Sequence, residues 1–352
     1  MNKNNIAVIF GSRSSEHEVS CISASNVISC IDRDAHNVFI IGITKDGRWL
    51  SVNNVEEITS GTWVNNTKTA IISPDTSHKG ILFIDNDKVT FQAIDAVFPV
   101  LHGMHGEDGT IQGLFEMAGI PYVGCGVVSS GVTMDKLFTK IIVDTLNIRQ
   151  AKYVAVNKSE LNDKDAVCNK VEAKLPYPVF IKPSNAGSSR GISKAHNREE
   201  LINGLIEAAK HDSKILVEET IIGRELECAV LGSKSPIASG VGEVIATTEF
   251  YDYDAKYNDT SSREDISPSL PDGVEAKIRE YALQIFAAVD GYSLSRVDFF
   301  LEKDTDDIVF NEINTIPGFT SISMYPMLWE AKGVSKTQLV EKLIQTALHR
   351  FE

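Results

Sequence analysis

SRVDFFLEKDTDDIVFNEIN, residues 295–314, is the stretch on which the reading of this chain turns. The run 295–301 alternates like a half-buried strand, so Arg296 and Asp298 share a face. The run IVFNEIN, 308–314, sends Glu312 and Asn314 to one face in the same way. The polar link 302–307 joins the two runs as a hairpin, bringing Asp298, Glu312 and Asn314 beside one arginine. Such oxygen donors suit Mg²⁺, which takes carboxylates, a carbonyl oxygen and substrate phosphates. A surface hairpin with solvated acids is the plainer alternative. The apolar flanks of both runs point the acids toward a cleft instead.

Working outward, FIKPSNAGSSRGI at 180–192 places Lys182 at a strand end before a loop of small residues. Backbone amides in such a loop approach phosphate oxygens closely, and a lysine adds a point charge. The order G-x-x-x-x-G-K-[ST] is absent, so this is not a P-loop, and an ordinary Gly/Ser turn stays open. Glu218 and Glu219 end a further strand, with Glu225 beyond them. They could hold a ribose or an adenine amine, or be solvated. In HGMHGEDGTIQG, 102–113, His102 follows a strand and opens a glycine-rich turn into a helix. The spacing to His105 carries no metal signature, and a capping role is the plainer reading.

The fold class read from this pattern is mixed, α/β and α+β. Strands at 6–10, 38–43 and 93–100 alternate with helices at 19–31 and 110–118. That predicts a parallel sheet covered by helices on both faces, in a first domain over 1–120. A helix at 135–146, strands at 178–182 and 215–219, and a helix at 197–209 with Asn197 as N-cap predict a small domain over 121–213. The remainder, 214–352, is rich in strands, at 225–231, 295–301 and 307–312, and ends in a helix at 336–350. Its polar, tyrosine-rich stretch 247–262 reads as a lid.

The 352 residues exceed one core. A net charge of -14 argues against a nucleic-acid partner, although a few local cations and Mg²⁺ can still hold a nucleotide. Five scattered cysteines, none in a C-x-x-C pair, fit neither a disulfide framework nor a zinc site, and suit a reducing cytosol. No signal peptide or run of about 18 apolar residues is present, so a soluble cytoplasmic protein without a membrane partner is expected.

EHEVS (16–20), LHGMHGEDGTIQG (101–113), MDK (134–136), KPSNAGSSRGI (182–192), YDYDAKY (251–257), SRVDFF (295–300) and NEINTIPGFTSISMYP (311–326) together resemble the D-alanine–D-alanine ligases of the ATP-grasp superfamily. The motifs run in the family's order over almost the whole chain. The resemblance implies a three-domain ATP-grasp fold with ATP between the last two domains. It places Lys136, Lys182 and Ser189 with the ATP phosphates, and Glu218, Glu219 and Glu225 near ribose and adenine. Asp298, Glu312 and Asn314 would bind two Mg²⁺, with Mn²⁺ able to substitute. Glu16 would pair with the ammonium of the first D-alanine, linked through Ser188 and Tyr257, with His102 near that substrate. Arg296 and the Gly318 N–H would form an oxyanion hole. Ser323 and Lys256 would hold the second carboxylate. A homodimer making D-alanyl-D-alanine for peptidoglycan follows as the family expectation.

Two departures stand out. Ser12 occupies a turn where the family usually has a second glycine, which puts that turn in doubt. Arg190 adds a cation beside the phosphate loop and is expected to face solvent. For the second substrate, relatives that make D-alanyl-D-lactate lack the tyrosine found here at 257. Lactate- and serine-forming relatives often carry arginine where this chain has Met324. A thioether cannot donate to a serine hydroxyl. A pocket without a partner for that hydroxyl rejects it only by roughly 10²-fold. D-alanine is therefore the expected second substrate and D-serine the alternative.

Overall fold

The computed structural model describes residues 3–187, 190–245 and 263–352. Ser188, Ser189, Lys256, Tyr257 and the expected lid 247–262 lie outside the described residues.

The chain opens with β1 (Asn4–Gly11), α1 (His17–Cys30) and β2 (His36–Ile43). It continues through β3 (Trp49–Val52), α2 (Val55–Ser60), β4 (Thr69–Ile72), β5 (Gly80–Asp85) and β6 (Lys88–Ala93), then returns to β7 (Ala96–Val100) and α3 (Thr110–Ala118). The seven strands lie in the order β6-β5-β4-β3-β2-β1-β7. Only β1 pairs in parallel, with β2 and β7. From β2 to β6 every pairing is antiparallel. The expected parallel sheet is thus corrected to a mixed one. The short links joining β4, β5 and β6 cannot carry the crossover that parallel pairing needs.

Helices do cover both faces of the parallel part, because IAVIF at 6–10 is apolar on both. Ile6, Val8 and Phe10 turn one way, onto Ala24 and Val27 of α1. Ala7 and Ile9 turn the other way, onto Ile111 and Phe115 of α3.

After α4 (Val127–Met134) and α5 (Lys136–Asp144) comes the second sheet: β8 (Tyr153–Asn157), β9 (Val179–Pro183), β10 (Ser193–Ala195) and β11 (Lys214–Glu219), in the order β10-β9-β11-β8. It carries α6 (Lys164–Glu172) and α7 (Arg198–His211). The expected Asn197 cap is present, its Oδ1 accepting the Glu200 N–H at 3.0 Å. The third sheet has β12 (Gly223–Gly232), β13 (Ile237–Ile245), β14 (Arg263–Asp265), β15 (Ser293–Glu302) and β16 (Ile308–Asn314), ordered β14-β13-β12-β15-β16. With it go α8 (Val274–Ala288), α9 (Met324–Ala331) and α10 (Lys336–Leu348).

The packing moves the divisions drawn at 120/121 and 213/214. β11 pairs with β8 and β9, so the second sheet runs to Glu219. Cys125, Val143 and Ile148 share a core with Leu226, Ile278 and Phe299 of the third unit. Leu339, Leu343 and Ile344 of α10 pack on the Ile6 face of the first sheet. Among the described residues, no helix is long and apolar enough to cross a membrane.

The turn after β1 carries two left-handed residues, Gly11 at φ 94° and Ser12 at φ 89°. A Cβ on Gly11 would lie 2.2 Å from the Ile43 carbonyl oxygen, so that position requires glycine. Ser12 keeps a glycine-like backbone. Its N–H donates to Ile43 O at 2.9 Å, and its carbonyl meets His17 Nδ1 at 2.8 Å. A non-glycine residue there stores ~1–3 kcal/mol of strain, partly offset by the greater chain entropy glycine loses on folding. Ser12→Gly should therefore stabilise the protein by about 1 kcal/mol, read as a higher urea midpoint at unchanged slope.

Candidate active site

β15 and β16 pair so that Arg296 lies opposite Asn314 and Asp298 opposite Glu312. The hairpin therefore assembles the four residues expected of it. Arg296 Nε and Nη2 donate to Asp298 Oδ1 and Oδ2 at 2.8 and 2.7 Å, a two-pronged pair. Asn314 Nδ2 donates to Asp298 Oδ2 at 3.0 Å. Glu227 on β12, opposite Asp298, brings Oε2 to 3.1 Å from Arg296 Nε. Burial opposes the guanidinium charge, but Asp298 and Glu227 outweigh it and raise the Arg296 pKa well above its ordinary value.

A second charged cluster spans β9, β11 and α5. Lys140 and Lys182 reach Glu218 Oε1 and Oε2 at 2.7 and 2.5 Å. Burial alone would push the Glu218 carboxyl up; the two lysines hold it instead at about 2. Burial opposes the charge on Lys182 too, and Glu218 overcomes it, raising that pKa. Two cations on one carboxylate leave one positive charge within this cluster. Lys136 Nζ donates to Ala186 O at 2.7 Å, tying the start of α5 to the loop that leads to Ser188 and Ser189. That loop is held further by Ser184 Oγ, which donates to Asp135 Oδ1 at 2.6 Å, while Lys214 pairs with the same carboxylate. Glu219 Oε1 accepts the Lys152 N–H at 2.9 Å. Arg190 is exposed, as expected.

At the opposite side, Glu16 is the buried residue before α1. Room for its carboxylate comes from two glycines: a Cβ on Gly103 or Gly187 would lie 3.5 or 3.0 Å from it. His102 is buried, its Nδ1 2.9 Å from Ile316 O and its Nε2 3.1 Å from Ser23 Oγ. A carbonyl can only accept, so Nδ1 carries the proton and Nε2 accepts from the serine hydroxyl. Burial lowers the His102 pKa against the pull of Glu16, consistent with a neutral ring. The capping role read for His102 is replaced by this bridge between two loops. Glu107 spans the same loops, its Oε2 accepting the Gly103 N–H at 2.8 Å and its Oε1 the Ile316 N–H at 2.9 Å. Ser323 Oγ accepts the Thr320 N–H at 2.9 Å just before α9. Met324 is 3% exposed, and a Cβ on Gly242 would lie 2.4 Å from its Sδ.

One cleft of about 680 Å³ joins these groups. Glu16, His102, Lys136, Lys182, Glu218 and Glu219 line it on the side of the first two sheets, and Glu225 from β12 of the third. Arg296, Glu312, Asn314, Gly318, Ser323 and Met324 line it from the third. Asp298 does not, and its two oxygens accept from Arg296 and the Asn314 amide. Among the described residues, no three His, Cys, Asp or Glu converge on a metal position. The available oxygen donors are the Asp298 and Glu312 carboxylates and the Asn314 amide. This set fits a hard divalent cation, and the amide nitrogen given to Asp298 leaves the carbonyl oxygen for it. Lys140, Glu107 and Glu227 escaped the sequence reading. Only Lys140 left a signal, four residues after Lys136 on one helix face.

Three sheets about one cleft, with lysines at one end and a buried Arg–Asp pair at the other, define an ATP-grasp ligase. The profile of the D-ala D-ala ligase N-terminus matches residues 5–125, and that of the C-terminus residues 142–345. A D-alanine–D-alanine ligase of Acetivibrio thermocellus is 50% identical over 99% of this chain and 97% of its own length. That of Ruminiclostridium cellulolyticum is 49% identical over 100% and 97%. The crystal structure of VanG D-Ala:D-Ser ligase from Enterococcus faecalis matches with TM-score 0.90 and 41% identity, covering 98% of this chain and all of that one, 100%. The D-alanine-D-alanine ligase from Coxiella burnetii matches with TM-score 0.85 and 31% identity over 99% and 96%. The chain belongs to the D-alanine–D-alanine ligase family, ATP-dependent ligases that work with a divalent metal.

Burial first, then the charges of Glu16 and Glu312, push the Glu107 carboxyl from 4.5 up to about 8, against its two backbone donors. Between those values the folded state holds a proton that the unfolded chain has released, so stability falls as pH rises from 4.5 to about 8. Glu107→Gln should flatten this decline, measured as urea midpoints across that range.

Proposed function

We propose that this protein joins two D-alanines into D-alanyl-D-alanine through an acyl phosphate, as a cytoplasmic homodimer serving peptidoglycan synthesis. The observation that carries the reading is that one cleft is lined by Glu16, Lys136, Lys182, Arg296 and Gly318.

Glu16 binds the ammonium of the first D-alanine, and His102 packs beside it. The substrate carboxylate attacks the γ-phosphorus of ATP and ADP departs, a step that rests on positioning and charge neutralisation. Lys136, Lys182 and Ser189 hold the phosphates, with Glu218, Glu219 and Glu225 toward ribose and adenine. Asp298, Glu312 and Asn314 would hold two Mg²⁺, or Mn²⁺ in their place, which would offset charge on the phosphoryl oxygens. Ser323 and Lys256 orient the carboxylate of the second D-alanine, and its free amine attacks the acyl carbon. Arg296 and the Gly318 N–H hold the oxyanion that forms, and phosphate leaves. The stretch 247–262, with Tyr257 linked through Ser188 to Glu16, shuts water away from the acyl phosphate. Three working units follow: the first sheet, the second to Glu219, and the third.

The likeness to VanG favours a second reading, D-serine as the second substrate. Met324, packed on Gly242 and unable to donate a hydrogen bond, supports D-alanine. Given ATP, Mg²⁺ and D-alanine with equal D-serine, the principal product should be D-alanyl-D-alanine. A principal product containing D-serine would establish the second reading. No D-alanine-dependent phosphate release would refute both. Arg296→Met should lower kcat by about 10²–10³-fold in the same assay, the usual loss for an oxyanion donor.

A further inference from the structure

The loop between β16 and α9 is held from outside its own sheet. Ile316 offers its N–H to Glu107 Oε1 at 2.9 Å and its carbonyl to His102 Nδ1 at 2.9 Å. Three residues on, Phe319 offers its N–H to Ser23 Oγ at 3.1 Å and its carbonyl to Asn26 Nδ2 at 2.9 Å. All four partners belong to the first sheet's unit, on α1 and the loop after β7. Between the two anchored residues lie only Pro317, whose φ is fixed and which has no N–H, and Gly318. Anchoring both flanks therefore sets where the Gly318 N–H points.

α1 also begins one residue after Glu16. At 1.5 Å per residue, Ser23 and Asn26 stand about 10 and 15 Å along the helix axis from Glu16. One rigid helix thus fixes both the carboxylate that takes the substrate ammonium and the loop that carries the oxyanion donor. In an α-amino acid, the amine nitrogen and the carboxyl carbon are only two bonds apart. The two anchors must keep a matching separation.

We propose that Ser23, Asn26 and Glu107 are positioning residues that aim the Gly318 N–H at the tetrahedral oxyanion, with α1 as the spacer between that donor and Glu16. The proposal rests on the ligase reading above. It concerns the second step, in which the amine nitrogen of the second D-alanine bonds the acyl carbon and the carbon–oxygen bond to phosphate breaks. A misaimed donor slows this aminolysis. Uncatalysed hydrolysis of the acyl phosphate, which returns D-alanine and phosphate, is not slowed, so phosphate release outruns dipeptide formation.

The test compares phosphate and dipeptide from the full chain with ATP, Mg²⁺ and D-alanine. Asn26→Asp puts an acceptor against the Phe319 carbonyl, and Ser23→Ala removes the bonds to Phe319 and His102. Ser25→Ala is the control: its hydroxyl donates within α1, to Cys21 O at 3.0 Å. Asn26→Asp and Ser23→Ala should each cut dipeptide kcat by about 10–100-fold, the scale of an ångström misplacement. Phosphate released per dipeptide should rise about threefold or more, with KM for the first D-alanine within about twofold of the parent. The proposal fails if either variant keeps the parental ratio, or if Ser25→Ala raises it equally. A parent that releases no D-alanine-dependent phosphate would overturn the ligase reading itself.

Discussion

A guanidinium taken out of water stays in a fold only when carboxylates meet it closely, because an uncompensated buried charge costs about 3–5 kcal/mol. Arg296 meets that condition with Asp298 on its own strand and Glu227 on the neighbouring β12. Asp298 in turn takes the Asn314 amide from β16. One ion cluster therefore fixes three strands against each other. A slip by one residue would turn these side chains to the opposite face and bring Val297 and Ile313 into the cleft. The loop 315–323 leaves β16 from this register and is then held by α1 and the loop after β7.

The whole chain carries -14, and carboxylates also outnumber cations along its cleft, yet one corner of it gathers lysines. The means is local. Glu218 is buried and ionised because two lysines face it, and the pair of lysines exceeds it by one charge. A carboxylate between two ammonium groups also keeps them apart from each other and in fixed positions. Net charge speaks to long-range partners; a nucleotide is met by the few ångströms around it.

How much of this could be read beforehand follows the range of the interactions. The hairpin that presents Asp298, Glu312 and Asn314 was legible because strand alternation is local and its turn is short. The Asn197 cap was legible for the same reason. At the N-terminal end the parallel strands β1, β2 and β7 were legible, and the antiparallel β3 to β6 were not; β6 is exposed enough to lack an apolar signature. The division at 213/214 parted β11 from β8 and β9, partners known only from pairing. Ser23 and Asn26 are ordinary helix residues in sequence. Their meaning lies in a partner almost three hundred positions away, at Phe319. Glu107 looked like one acid in a polar turn until Ile316 came to it.

The sealing of the first sheet by α10 bears on how the chain is made. Ile6 and Val8 are synthesised more than three hundred residues ahead of Leu343 and Ile344, which share their core. Until α10 arrives that face of β1 is incompletely covered, and an uncovered apolar sheet face invites association with other nascent chains. Arrested chains ending before α10 would therefore remain protease-sensitive near their beginning, however well the middle sheet had already formed.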